Sequence, residues 1–162
     1  METRSIPGKN YIILGIVVLA TFALLYYFVS FYNKQKDYEN SIHTRMQFLS
    51  EVKENEIQNY ILDNHDVIIY LSDSTDDTFS DFEIQLKSLM KDQNLTKNVV
   101  YMDVYKISSE ENLKNILKLD TLIYPNVVIV TDEMGTSVLY KENQEKNPKE
   151  IVYYIQNYLE KE

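Results

Sequence analysis

The chain has 162 residues, a formal charge of −9 and no cysteine. The missing thiols exclude disulfides, thiolate metal sites, cysteine nucleophiles and a lipidated-cysteine anchor together. The acidic balance argues against nucleic acid as a partner, because a binder needs a basic surface to neutralise phosphates. Fourteen tyrosines and no tryptophan read as a coding bias toward Asn, Lys, Ile and Tyr.

Residues 11–31 run YIILGIVVLATFALLYYFVSF without a charge. At about 1.5 Å per residue, that length crosses a hydrocarbon layer of roughly 30 Å. The segment is expected to be a transmembrane helix, with Tyr11 at one headgroup level and Tyr26, Tyr27 and Tyr32 at the other. A cleaved signal peptide fits less well, since its apolar core runs only about 7–15 residues before a small-x-small site. Ala20 and Ala23 are wrongly spaced for such a site. Arg4 and Lys9 precede the span while Lys34, Lys36 and Arg45 follow it, so the flanking charges alone lean slightly toward a cytoplasmic domain. An extracytoplasmic domain is nevertheless expected, because this span is the first apolar segment of the chain and because of the resemblance described below.

Beyond the span about 130 residues remain, enough for one domain with its own core. Because Glu2, Arg4 and Lys9 together contribute +1, the part after residue 31 carries −10, a charge that favours solubility and repulsion from anionic lipid. Residues 32–62 lack Gly and Pro and place Ile42, Met46, Leu49, Val52, Ile57 and Ile61 at a loose spacing of three to four. That spacing predicts an amphipathic helix running on from the membrane as a stalk. Residues 67–71, VIIYL, form a short apolar run that predicts a strand buried on both faces at the centre of a sheet.

The polar loop SDSTDDT follows, and Phe79, Phe82, Leu86, Leu89 and Met90 then predict a helix with one apolar stripe. Residues 99–104 predict a second strand. Ser108 and Glu111 have capping-box spacing before a short helix carrying Leu113, Ile116 and Leu117. Residues 127–130 and 136–141 predict two more strands, joined as an antiparallel hairpin through Asp132, Glu133, Met134 and Gly135. Asn147, Pro148 and Glu150 open a last helix with Ile151, Val152, Ile155, Tyr158 and Leu159 inward. These elements predict an α/β fold in which a four-stranded mixed sheet is flanked by helices over both faces.

That element order is the order of the thioredoxin-like fold, and DVIIYLSDSTDDTFSDFE extends the match to residues. The stretch resembles small bacterial membrane-anchored thioredoxin-like proteins of the bacteriocin transport accessory type. Tyr70, Phe82 and Glu83 fall where those proteins carry the same types, and Tyr124-Pro125-Asn126 before VVIV matches the proline that precedes the third strand. The likeness covers residues 65–160, and the domains it implies are a tail (1–10), a transmembrane helix (11–31), a stalk helix (32–62) and a thioredoxin-like domain (65–162). The two cysteines of the family's C-x-x-C motif would fall at Asp76 and Phe79. Neither can attack a disulfide, because exchange requires a thiolate. What the resemblance leaves is a peptide groove beside Pro125, for which Asp73, Thr75, Asp76, Tyr124 and Pro125 are the candidate residues.

Other chemistry has weaker support. Asp73, Asp76, Asp77 and Asp81 could suggest a divalent-cation loop, but Thr78 and Ile84 stand where an EF-hand needs Gly and Glu. Helix capping explains these acids better. His43 and His65 have no second ligand at metal spacing, and Gly8, Gly15 and Gly135 make no phosphate loop. Tyr70 and Tyr124 could line a groove, although core packing accounts for them as well.

No catalytic residue, cofactor or metal is therefore expected. The function expected is a redox-inactive binding or accessory module for a protein or peptide, anchored in a bacterial cell membrane. The alternatives are a component of a thiol-disulfide or metal-assisted enzyme system, and a structural spacer in a membrane complex.

Overall fold

In the computed structural model, residues 8–39, 45–64, 66–131 and 135–161 are described, and the chain divides into two compact units, Met1–Asn40 and Ser41–Glu162. The first unit holds α1 (Gly8–Glu39), a single helix within which Asn10–Gln35 is long and apolar enough to cross a membrane. Its apolar residues cover every face, and Leu14, Leu19, Phe22 and Phe28 are all exposed. A helix that is apolar all round has no soluble face to offer water.

The second unit is organised by β2 (Asp66–Ser72), in which every residue after Asp66 is buried. Alternation sends its side chains to two cores. Ile68 and Tyr70 meet Leu86 and Met90 of α3 (Ser80–Asp92) and Ile151 and Ile155 of α5 (Pro148–Leu159) on one face. Ile69 and Leu71 meet Ile57 of α2 (Glu54–Asp63) and Leu113 and Leu117 of α4 (Glu110–Leu117) on the other. β2 pairs in parallel with β3 (Val99–Asp103) and antiparallel with β4 (Asn126–Thr131), which pairs antiparallel with β5 (Gly135–Val138). Gly135 has φ +76° at the start of β5, a conformation that side chains with a Cβ rarely adopt.

Several expectations need correction. Residues 32–62 are not one stalk helix. Helix α1 ends at Glu39, residues 45–48 turn with the Leu49 N–H donating to the Met46 carbonyl at 3.0 Å, and a two-residue strand β1 (Ser50–Glu51) follows. Met46, Leu49 and Val52 are buried in the domain. Their three-residue spacing imitates a helix because a tight turn and a strand bring every third side chain inward. β1 pairs in parallel with β3, so the sheet has five strands in the order β1-β3-β2-β4-β5 rather than four. Ser109, not Ser108, caps α4 by accepting from the Asn112 N–H at 3.2 Å, while Ser108 is taken by Glu54. The expected cap of α5 is present, with the Asn147 side chain accepting from the Lys149 N–H at 3.0 Å. His43, His65 and the turn residues Asp132, Glu133 and Met134 lie outside the described residues.

One charged pair sits inside this framework. Arg45 and Glu83 have side chains only 2% and 1% exposed, with Nε of Arg45 3.0 Å from a Glu83 oxygen. Glu83 also accepts from the Ser72 hydroxyl and, at 3.4 Å, from the Tyr70 hydroxyl. The far side of the guanidinium reaches the loop before α3, donating to the Asp76 carbonyl at 3.0 Å and to the Asp77 carboxylate at 3.4 Å. Burial pushes the Glu83 carboxyl above its ordinary 4.5, opposed by the Ser72 hydrogen bond and then by Arg45.

Removing one member of a buried pair leaves an unpaired charge, so Arg45→Met should lower stability by about 3–5 kcal/mol in urea unfolding. Adding Glu83→Gln should restore most of it, since the amide keeps an acceptor for Ser72 and Tyr70 without the charge. An acid whose folded pKa lies above its unfolded value is most stabilising when protonated, below the unfolded value, and that contribution is lost as pH rises through the folded value. The Arg45→Met deficit should therefore shrink as pH falls toward the carboxylate range. Unfolding curves in which the deficit is flat with pH would contradict a buried Glu83 charge as its cause.

Candidate functional site

The loop from residue 73 to 79 is built of aspartates that fold back on their own backbone. Asp73 accepts from the Thr75 N–H and hydroxyl at 2.7 and 2.6 Å, and Asp76 repeats the pattern three residues on, accepting from Thr78 at 2.8 and 2.6 Å. Asp76 thereby caps the 3-10 turn Asp77–Phe79 that leads directly into α3. These hydrogen bonds, foremost that from the Thr78 hydroxyl, hold its carboxyl below the usual carboxylate range. A further tie runs from the Ser74 N–H to the Asp103 carboxylate at the end of β3, at 3.1 Å.

Facing this loop is the entry to β4. The Tyr124-Pro125 peptide bond is cis, Pro125 is buried and Tyr124 is half-buried. Burial raises the Tyr124 phenol, followed by the charges of Glu110, Asp73 and Asp76. Immediately after the proline, the Asn126 side chain donates to the Tyr140 carbonyl and accepts from the Tyr140 N–H, both at 2.9 Å. This amide clamp ends β5 at Val138, three residues short of the sequence expectation of 136–141, because it takes Tyr140 out of the strand ladder.

Tyr140 continues the clamp. Its hydroxyl donates to the Asn147 carbonyl at 2.6 Å and accepts from the Asn147 N–H at 2.8 Å. The exposed segment 141–145 therefore hangs between two fixed points, Tyr140 and Asn147. Lys146, at its end, reaches back across the face. Its Nζ donates to the Tyr124 carbonyl at 2.6 Å and stands 4.9 Å from the centroid of the Phe79 ring. Burial lowers its pKa from the ordinary lysine value, and the Asp76 charge opposes that shift.

The Phe79 ring and the Tyr124 carbonyl thus share one cation, on which Asp76 acts only through its charge, and Pro125 follows Tyr124 directly. Asp73 faces the same tyrosine, while Thr75 is exposed and folded onto Asp73. Tyr70 is not part of this face, being fully buried with its hydroxyl on Glu83. The aspartates that could suggest a cation loop are engaged separately, Asp73 with Thr75, Asp76 with Thr78 and Asp77 with Arg45. Lys146 is the residue that sequence reasoning does not find. It sits in a polar loop with no periodic pattern, and its contacts are with residues far away in the chain.

A cleft of about 480 Å³ lies elsewhere, where Arg45, Glu51, Glu83, Tyr101, Asp103 and Lys106 converge. It carries its own counter-ions, Lys106 lying 2.7 Å from Glu51 and 3.3 Å from Asp103. The Asp76 face differs in presenting a carbonyl and an aromatic ring to one side chain. With no cysteine in the chain, neither the cleft nor the Asp76 face can run thiol-disulfide exchange from its own residues.

No protein-family model and no curated protein matches the sequence. Solved structures do match by shape. The J-Trx1 fragment of ERdj5 superposes with a TM-score of 0.52 at 8% identity, over 74% of this chain and 55% of that one. Mitochondrial thioredoxin 3 from Saccharomyces cerevisiae, in its oxidized form, gives a TM-score of 0.48 at 14% identity, over 70% of this chain and 98% of that one. At such identities the likeness is one of fold. The chain combines a thioredoxin-like fold, a mixed sheet flanked by helices, with an N-terminal helix long and apolar enough to cross a membrane and no cysteine.

Proposed function

We propose that the chain is a membrane-anchored, redox-inactive accessory protein whose thioredoxin-like domain binds an extended segment of another protein at the face formed by residues 73–79, Tyr124 and Pro125. The observation that carries this reading is the meeting of Phe79 and the carbonyl of the Tyr124-Pro125 bond on one side chain, Lys146, within the influence of the Asp76 charge and in a chain without cysteine. Positions that resemble the C-x-x-C of the bacteriocin transport accessory type hold a cap and an aromatic ring instead. A thioredoxin-like fold without any thiol favours recognition over catalysis. An extended segment is the natural ligand for a face whose backbone acceptor stands at a strand entry.

The anchor belongs, in this reading, to a bacterial cell membrane, with the domain on the extracytoplasmic side. Arg45 is buried against Glu83, and so does not act as a juxtamembrane charge. The flanking count is then Arg4 and Lys9 against Lys34 and Lys36, and the lean toward a cytoplasmic domain disappears.

A photo-crosslinking side chain placed at exposed Thr75 should capture a partner of defined mass in cells, whereas one at Tyr153, 67% exposed on α5, should not. Asp76→Asn keeps a capping oxygen for Thr78 but removes the charge, and should reduce the Thr75 adduct by about ten-fold, the equivalent of one lost charge-assisted contact. Equal adducts from Thr75 and Tyr153, or a Thr75 adduct indifferent to Asp76, would remove this face from consideration.

A further inference from the structure

We propose that the face is a cation-accepting subsite which Lys146 fills from within, so that the partner it fits is an extended segment bearing a lysine or arginine that displaces Lys146. The inference rests on the peptide-binding reading and names the chemistry of that partner. Two contacts of Nζ of Lys146 are those an ammonium seeks, a carbonyl acceptor at 2.6 Å on Tyr124 and the face of the Phe79 ring at 4.9 Å, and the charge of Asp76 favours a cation there. A carbonyl, a ring face and a carboxylate together select a cation over a neutral or anionic group. An extended segment that used the Tyr124 carbonyl would have to replace the donor already there.

Displacement is an exchange of like for like: Lys146 regains its hydration, while an incoming cation gives up its own and takes over the contacts with the Tyr124 carbonyl and the Phe79 ring. The backbone need not move, because Tyr140 and Asn147 hold both ends of the segment and only the lysine side chain has to swing away. The surroundings favour the same class of partner. Asp73, Asp76 and Glu110 act on Tyr124, and the side chain of Asp77 is 80% exposed beside them. Such a field raises the encounter rate of basic segments and repels acidic ones.

Two measurements on the full chain in detergent test this. The first is chemical rescue. Butylammonium should raise the melting temperature of Lys146→Ala, butanol at the same concentration should not, and the wild-type chain should respond to neither. The second is fluorescence anisotropy with a labelled extended peptide of alternating Val and Thr carrying one central Lys, and with its norleucine counterpart. Lys146→Ala should bind the Lys peptide about ten-fold more tightly than the wild-type chain does and prefer it over the norleucine peptide, a preference that Asp76→Asn in the same background should largely abolish. Should Lys146→Ala be poorly folded, Lys146→Met carries the peptide comparison. No rescue by butylammonium would overturn the cation subsite. Equal binding of both peptides by the variant would overturn the basic partner and leave the groove standing. Rescue without binding of either peptide would instead overturn the peptide-binding reading, and the basic segment with it.

Discussion

The guanidinium of Arg45 is the interaction on which the rest of the domain turns. It lies 2% exposed in a low-dielectric interior, where an unpaired charge would cost several kcal/mol. Its planar fork resolves that cost in two directions at once. One side meets Glu83 on α3, itself held by Ser72 and Tyr70 of the central strand; the other meets the Asp76 carbonyl and the Asp77 carboxylate. A lysine could not span these partners, because a single ammonium lacks the spread of donors that a guanidinium presents in a fixed plane. The segment before β1, the first turn of α3, the end of β2 and the loop at the face are therefore located relative to one another by a single residue.

The opposite wall is located by different means. The Asn126 amide grips the backbone of Tyr140, and the Tyr140 hydroxyl grips the backbone of Asn147. These are neutral hydrogen bonds, each modest in net worth but costly to leave unmade once buried. They fix where the loop after β5 returns to α5, and so fix the point from which Lys146 reaches across. The face is held from one side by charge and from the other by amide and phenol.

Much of this architecture is legible in the sequence, and the parts that are not share a physical reason. The VIIYL run, the stripe of α3 and the Asn147-Pro148 start of α5 are local patterns, and the structure places them as read. Pro125 stands at the entry to β4, and Asp76 and Phe79 stand in the turn that leads into α3, as the strand-loop-helix sequence around them implies. Arg45 reads in sequence as one more positive charge beyond a membrane span, because nothing local shows that its partner lies 38 positions away at Glu83. The stalk reading fails for a related reason: a turn followed by a strand can repeat an apolar residue every third position, as a helix does. β1 has two exposed residues and no strand composition, and exists only because β3 offers an unpaired edge.

The residue at position 76 connects this architecture to what the domain can do. A helix start that can stabilise a thiolate stabilises any anion, because its free N–H groups and dipole respond to charge rather than to element. Asp76 occupies such a start, accepts the Thr78 N–H at 2.8 Å and has its carboxyl held below the ordinary range. The position is thus electrostatically suited to an anion, and the anion present cannot act as a nucleophile toward sulfur. Phe79 contributes a ring face, which accommodates a cation. Neither side chain is a thiol, and the ammonium of Lys146 stands 4.9 Å from the ring centroid while donating to the Tyr124 carbonyl.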